Sequence, residues 1–165
     1  MSKRTGQIYK MQALNLPTFS VKVIEKEKKR LIFDFIRKKY VALTPEEWVR
    51  QHFINYLITS LNYPKELIVN EMWIKLNNTS KRCDSIVYNQ FLEPLVIIEY
   101  KAPYIKITES VFEQIIHYNF ALHVKYLIVS NGMTHYCCQI DYKNLTYNFL
   151  KEIPDYSTLN NSEED

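Results

Sequence analysis

Residues 82–101 read RCDSIVYNQFLEPLVIIEYK. Leu95-Val96-Ile97-Ile98 is an unbroken apolar run of the kind that forms a strand buried on both faces, yet it closes on Glu99-Tyr100-Lys101. A carboxylate and a lysine stand where such a strand should stay apolar. An ionised side chain leaving water costs several kcal/mol unless a partner or a cation compensates it, so the chain has a use for these charges. Side chains alternate along a strand, which puts Glu99 and Lys101 on one face and Tyr100 on the other. Upstream, residues 82–88 read as a second strand, and Asn89-Gln90 as the turn that follows it. If these two strands pair, Asp84 joins Glu99 and Lys101.

Two carboxylates and one ammonium at a shared point meet the needs of a magnesium-dependent phosphodiester hydrolase. They offer oxygens to a hard cation and fixed positive charge beside an attacked phosphate. The duller reading is a structural ion-pair cluster, although buried ion pairs are poor stabilisers.

Working outward, residues 20–24 and 31–35 are short β-prone runs joined by a charged turn at 25–30. A helix is expected over residues 45–61, with Thr44 as N-cap, Pro45 first, and Trp48, Phe53, Tyr56, Leu57 and Leu61 on or near one stripe. Strands follow at 66–76, 82–88 and 95–101, with turn residues at 77–80. A second helix covers 108–123. Residues 126–130 then form a buried strand, Asn131-Gly132 a hairpin turn, 134–140 its partner, and 144–150 an edge strand.

The triad Asp84, Glu99 and Lys101, with fourteen residues between the acids, resembles the active-site signature of the PD-(D/E)xK nuclease superfamily. Gln114 and Tyr118 follow with the QxxxY spacing of the branch that contains recombination exonucleases and type I restriction subunits. Leu43-Thr44-Pro45-Glu46-Glu47-Trp48-Val49-Arg50-Gln51 looks like the first helix of the N-terminal nuclease domain of the type I restriction R subunit. The resemblance spans roughly residues 30 to 140. Cys83 stands where the family usually has proline, a residue that shapes backbone and touches no metal.

What the resemblance implies is an α/β domain with a restriction-endonuclease-like core, αβββαβ, its central mixed sheet flanked by helices, preceded by an N-terminal β-hairpin extension. Residues 1–18 are expected as an N-terminal extension, 19–150 as the nuclease domain and 151–165 as an acidic, disordered tail. Asp84, Glu99 and the backbone carbonyl of Tyr100 are the implied ligands of Mg2+, for which Mn2+ substitutes. Lys101 positions and helps deprotonate the attacking water, Gln114 and Tyr118 orient the lysine or the DNA strand, and cleavage leaves a 5′-phosphate. Glu47 is a further candidate, since some relatives carry a site glutamate on that helix. It also falls three residues after Thr44, where it could simply close a capping box. Glu71 could face the site or solvent.

Composition bounds the rest. At 165 residues, 47% hydrophobic and 24% charged, the chain suits one soluble domain. Its two glycines, Gly6 and Gly132, lie in no Walker A loop, so no nucleotide cofactor is expected. No apolar stretch approaches a membrane span and Met1-Ser2-Lys3-Arg4 begins no signal peptide, which gives a cytoplasmic expectation. Cys83, Cys137 and Cys138 form no CxxC pair, and with His135 they lack structural-zinc spacing. His117 and His123 read as packed side chains. Residues 1–40 hold 11 Lys and Arg against 3 acids, whereas the remainder is acidic. That basic segment suits phosphate contact or is a solvated turn. The expected partners are DNA and other restriction or defence subunits. Two further functions stay open: a catalytically silent nucleic-acid-binding module, and a protein-interaction domain of a restriction or defence complex.

Overall fold

The computed structural model describes residues 11–76 and 78–161. Three strands, β1 (Val23–Lys26), β2 (Lys29–Asp34) and β3 (Lys39–Ala42), form a small antiparallel sheet ahead of the first helix. β3 goes beyond the expected hairpin. It forms because Asp34 accepts the backbone N–H groups of Ile36 and Arg37, at 2.8 and 3.0 Å, and with Lys38 at φ 54° this turns the chain back onto β2.

Helix α1 (Pro45–Leu61) opens on Thr44, whose hydroxyl accepts the Glu47 N–H at 3.1 Å, and ends on Asn62 in the left-handed region. Its burial is wider than the expected stripe and includes Glu47, Arg50, Gln51 and His52. The reason lies in residues 12–19, which lie along the helix. Trp48 Nε1 donates to the Gln12 carbonyl at 3.0 Å, and Phe19 packs edge-on against His52. The same segment reaches the β-turn at residue 132. Asn15 N donates to the Gly132 carbonyl at 2.8 Å, and a Cβ on Gly132 would come within 2.7 Å of Leu14. Gly132 also takes φ +82°, so both space and backbone demand glycine.

The main sheet runs β4 (Ile68–Leu76), β5 (Thr79–Tyr88), β6 (Pro94–Tyr100), β7 (Tyr126–Ser130), β8 (His135–Asp141) and β9 (Thr146–Phe149), in that spatial order. Every neighbouring pair is antiparallel except β6–β7, which is parallel and therefore needs a crossover. Helix α2 (Glu109–Asn119) supplies it. Val96, Ile98, Tyr100, Tyr126 and Ile128 pack with Val49, Phe53 and Leu57 of α1. Ile97, Leu127 and Val129 pack with Phe112 and Ile116 of α2. The strict alternation along β6 and β7 thus puts one helix on each face.

Boundaries differ from expectation at several places. β1 and β2 reach into the expected turn at 25–30 and leave only Glu27-Lys28 as the turn, and a 3-10 turn (Lys65–Leu67) takes the first residues of the strand expected at 66–76. Residue 77 of the expected turn lies outside the described residues, and Thr79–Ser80 already belong to β5. The second helix stops at Asn119, where the Asn119 side chain donates to the Ile115 carbonyl at 2.7 Å, and a 3-10 turn (Phe120–Leu122) follows. The described part of the expected disordered tail, residues 151–161, instead folds back. Ile153 and Leu159 join the α1-side core, helix α3 (Tyr156–Asn161) forms, and Tyr63 donates to the Pro154 carbonyl at 2.9 Å. A polar composition concealed two well-placed apolar anchors. Residues 1–10 and 162–165 lie outside the described residues.

Candidate active site

The β5–β6 ladder pairs Ser85 with Ile98 and Ile86 with Ile97, a register that carries Asp84 opposite Glu99. Asp84 Oδ2 accepts the Tyr100 N–H at 2.9 Å, so a side chain takes over the bond a strand neighbour would make. On the other side of Asp84 the β4–β5 register runs from Asn70–Ser85 directly to Met72–Cys83. The omitted partner is Glu71, which sits at φ 57°. A non-glycine residue held left-handed within a ladder is strained, and such irregularities re-aim side chains beside functional sites.

Burial first, and the Asp84 carboxylate second, push the Glu99 carboxyl up to about 7, against the opposing pull of Lys81. Two acids this close resist ionising together. Lys81, which nothing in the sequence singles out, is the cation in contact with Glu99. Its Nζ lies 2.5 Å from Glu99 Oε1 and 3.2 Å from Asn119 Oδ1, and sits 4.8 Å from the centre of the Tyr118 ring. Asp84, Glu99 and Tyr118 are therefore brought together, the last through Lys81. Lys101 follows the strand with its N–H bonded to the Ser130 carbonyl at 2.9 Å, is part-exposed, and has no ion pair among the described residues. Gln114 is not brought to the carboxylates. It is solvent-exposed and lines a depression with Ser110, His117 and Tyr147.

Glu47 does more than cap. The Thr44 half of the capping box forms, but the Glu47 carboxylate turns inward to Arg37 (3.1 Å), Gln51 (2.9 Å) and Arg50 (3.6 Å). Arg50, its side chain 5% exposed, also reaches Glu71 Oε1 at 2.5 Å and Asp84 Oδ1 at 4.0 Å. Glu71 holds Arg82 with its other oxygen. So Glu47 and Glu71 both belong to the surroundings of Asp84, linked by one buried guanidinium.

Beneath the strands a second set of bonds completes a ring. Tyr100 OH donates to Ser85 Oγ (3.0 Å), Ser85 to Asn70 Oδ1 (2.7 Å), and Asn70 Nδ2 to Asp34 Oδ2 (3.0 Å). Asp34 holds Arg37, Arg37 holds Glu47, Glu47 faces Arg50, and Arg50 lies 5.5 Å above the Tyr100 ring. Burial opposes ionisation of Asp34, yet the Arg37 backbone N–H, Asn70 and the Arg37 guanidinium win and hold its carboxyl below the usual range. Burial drives the Tyr100 hydroxyl well above its ordinary value, so it acts as a hydrogen-bond donor.

Among the described residues no three His, Cys, Asp or Glu side chains are grouped as a metal cage. The donors available are the two carboxylates of Asp84 and Glu99. Hard oxygens in that number suit a small divalent cation that keeps most of its waters, and such a cation relieves both the burial and the Asp84 repulsion that oppose a charged Glu99.

A mixed sheet with a helix on each face, carrying an acidic pair where two central strands meet, defines a restriction-endonuclease-like α/β domain. Residues 45–154 match the family described as the type I restriction enzyme R protein N terminus, and the chain belongs to that family. A solved fragment assigned as the HsdR subunit of a type I restriction enzyme from Vibrio vulnificus YJ016 is similar to it, with 16% identity and a TM-score of 0.49 over 71% of this chain. The chain spans 24% of that fragment's length. No curated protein matches. Among the described residues no helix is long and apolar enough to cross a membrane.

Proposed function

We propose that this domain hydrolyses DNA phosphodiester bonds with Mg2+, or Mn2+ in its place, as the nuclease part of a restriction or defence assembly. The juxtaposition of Asp84 and Glu99 on adjoining strands carries this reading. Asp84 and Glu99 would hold the cation, with the Tyr100 carbonyl as a third protein oxygen. When bound, it supplies charge neutralisation at the scissile phosphate and a more acidic water. Tyr100 N–H fixes the Asp84 carboxylate. Lys101, without an ion pair among the described residues, is available to orient the attacking water and to meet charge developing on phosphate. Gln114, exposed on α2, would touch the DNA strand rather than the carboxylates.

The exposed basic residues of the small sheet supply the phosphate footprint. Lys26 and Lys29 stand directly opposite each other across β1–β2, a like-charge pair that costs stability and is relieved by an anion.

The test is cleavage of plasmid DNA. Asp84→Asn and Glu99→Gln are each expected to lower the rate at least about a hundredfold while thermal melts stay cooperative, and Lys101→Ala to lose cleavage with Mn2+ affinity retained. Equal cutting by all three variants, or cutting that survives EDTA, rejects the assignment. A silent binding module is the second reading, favoured by the protein cations already beside both carboxylates, Lys81 at Glu99 and Arg50 near Asp84. It requires DNA binding indifferent to chelator and no cleavage by the parent.

A further inference from the structure

We propose that Lys81 is a placeholder for the divalent cation: its ammonium holds Glu99 in the metal-free protein and is displaced onto Tyr118 and Asn119 when the ion binds. This rests on the metal-site reading above and adds a residue that lies outside the Asp84, Glu99 and Lys101 signature.

The Lys81 ammonium has two kinds of neighbour. One is the Glu99 carboxylate, 2.5 Å away. The other is a neutral station on α2, made of Asn119 Oδ1 at 3.2 Å and the Tyr118 ring face at 4.8 Å. That station is rigid where it needs to be. Asn119 is 1% exposed and its amide nitrogen is committed to the Ile115 carbonyl, which leaves the oxygen as a fixed acceptor. The Tyr118 ring is 62% exposed, and its open face can receive a cation without repacking the core. Lys81 itself is only 12% exposed, and its ammonium touches Glu99, Asn119 and the Tyr118 ring at once, so displacement means giving up Glu99 while keeping the contacts on α2.

A divalent ion and an ammonium cannot both take the same carboxylate without mutual repulsion. Binding the ion therefore includes the cost of evicting Lys81, and the α2 station lowers that cost. Lys81 is in these terms a positioning residue that acts through Glu99. It also explains why Tyr118 sits beside the site with its ring, rather than its hydroxyl, turned to the charge.

The experiment is calorimetric titration with Mg2+ at pH 8.5, above the value of about 7 of the parent Glu99 carboxyl, run in two buffers of different ionisation enthalpy so that any proton released from Glu99 when Lys81 no longer holds it down is counted. Lys81→Met is expected to bind about tenfold more tightly than the parent, Lys81→Arg no more tightly than the parent, and Lys101→Met within about threefold of it. In the parent, the ε-methylene NMR signal of Lys81 is expected to shift on saturation with Mg2+ as the ammonium settles over the Tyr118 ring. Unchanged or weaker affinity in Lys81→Met, or a Lys81 signal that stays in place at saturation, overturns the proposal. Should Lys81→Met fail to fold, the NMR titration of the parent decides. A parent that binds no Mg2+ sinks the metal site itself, whereas a parent that binds it with an unmoved Lys81 sinks this proposal alone.

Discussion

Arg50 Nη2 lies 2.5 Å from Glu71 Oε1, which ties the second turn of helix α1 to the strained residue beside Asp84. The guanidinium is 5% exposed, and its Nε and Nη1 have no hydrogen-bond partner among the described residues. Removing a buried ion's partner leaves an uncompensated charge, so Arg50→Ala should destabilise the domain by about 3–5 kcal/mol in urea unfolding. The double variant Arg50→Met with Glu71→Gln should recover part of that loss. A cost below about 1 kcal/mol for Arg50→Ala would show that water already screens the network.

Glu99 gives the metal-free domain a defined pH response. Its carboxyl titrates at about 7 in the folded chain against an ordinary value of 4.5, so the folded state binds the proton more tightly. Its contribution is complete below 4.5 and is lost as pH rises through about 7. At 1.36 kcal/mol per unit, the loss between pH 5 and pH 8.5 is about 2–3 kcal/mol. His52 and His135, both held below 6.5 by burial, push the other way at the acid end of this range. The Glu99 share is therefore read in EDTA as the difference between the parent and Glu99→Gln. Parallel stability curves for the two proteins would remove the raised carboxyl from the account.

The small sheet makes a prediction that the active site does not. Lys28, Lys29, Arg30, Lys38 and Lys39 are all solvent-exposed. If they bind phosphates, neutralising them should reduce the slope of log affinity against log salt by about 0.9 for every phosphate of duplex DNA that is no longer paired with a lysine or arginine. Gln114→Ala and Tyr118→Phe should leave the slope alone. An unchanged slope in the neutralised protein moves the DNA footprint to the surface around Asp84 and Glu99.

The elements legible in the sequence are those whose signals are local. Leu95 to Ile98 had to be a buried strand, Thr44 and Pro45 had to open a helix, and Asp84 had to meet Glu99 once their strands paired. Lys81 is not legible because alternation from Asp84 assigns it the opposite face of β5. Only the interrupted ladder at Glu71 and the arrival of α2 bring it to Glu99. Arg50 reads as an ordinary helix cation, since nothing within α1 says that Glu71 waits across the gap. The tail misleads for the opposite reason. Its acidic and amide residues dominate the composition, while the two side chains that anchor it, Ile153 and Leu159, are too few to register.

The ring of bonds from Tyr100 through Ser85, Asn70, Asp34, Arg37 and Glu47 to Arg50 separates two meanings of the word module. The stretch shared with the family begins at residue 45. Asp34 and Arg37 lie upstream of it, yet they hold Asn70 and Glu47 within the shared part. A chain cut at residue 45 would keep every proposed catalytic group and lose two members of the scaffold that aligns them. The matched stretch is thus shorter than the network of bonds around the site. Grafting this domain elsewhere has to carry the small sheet along, because the hydrogen bond from Asn70 to Asp34 travels with the site.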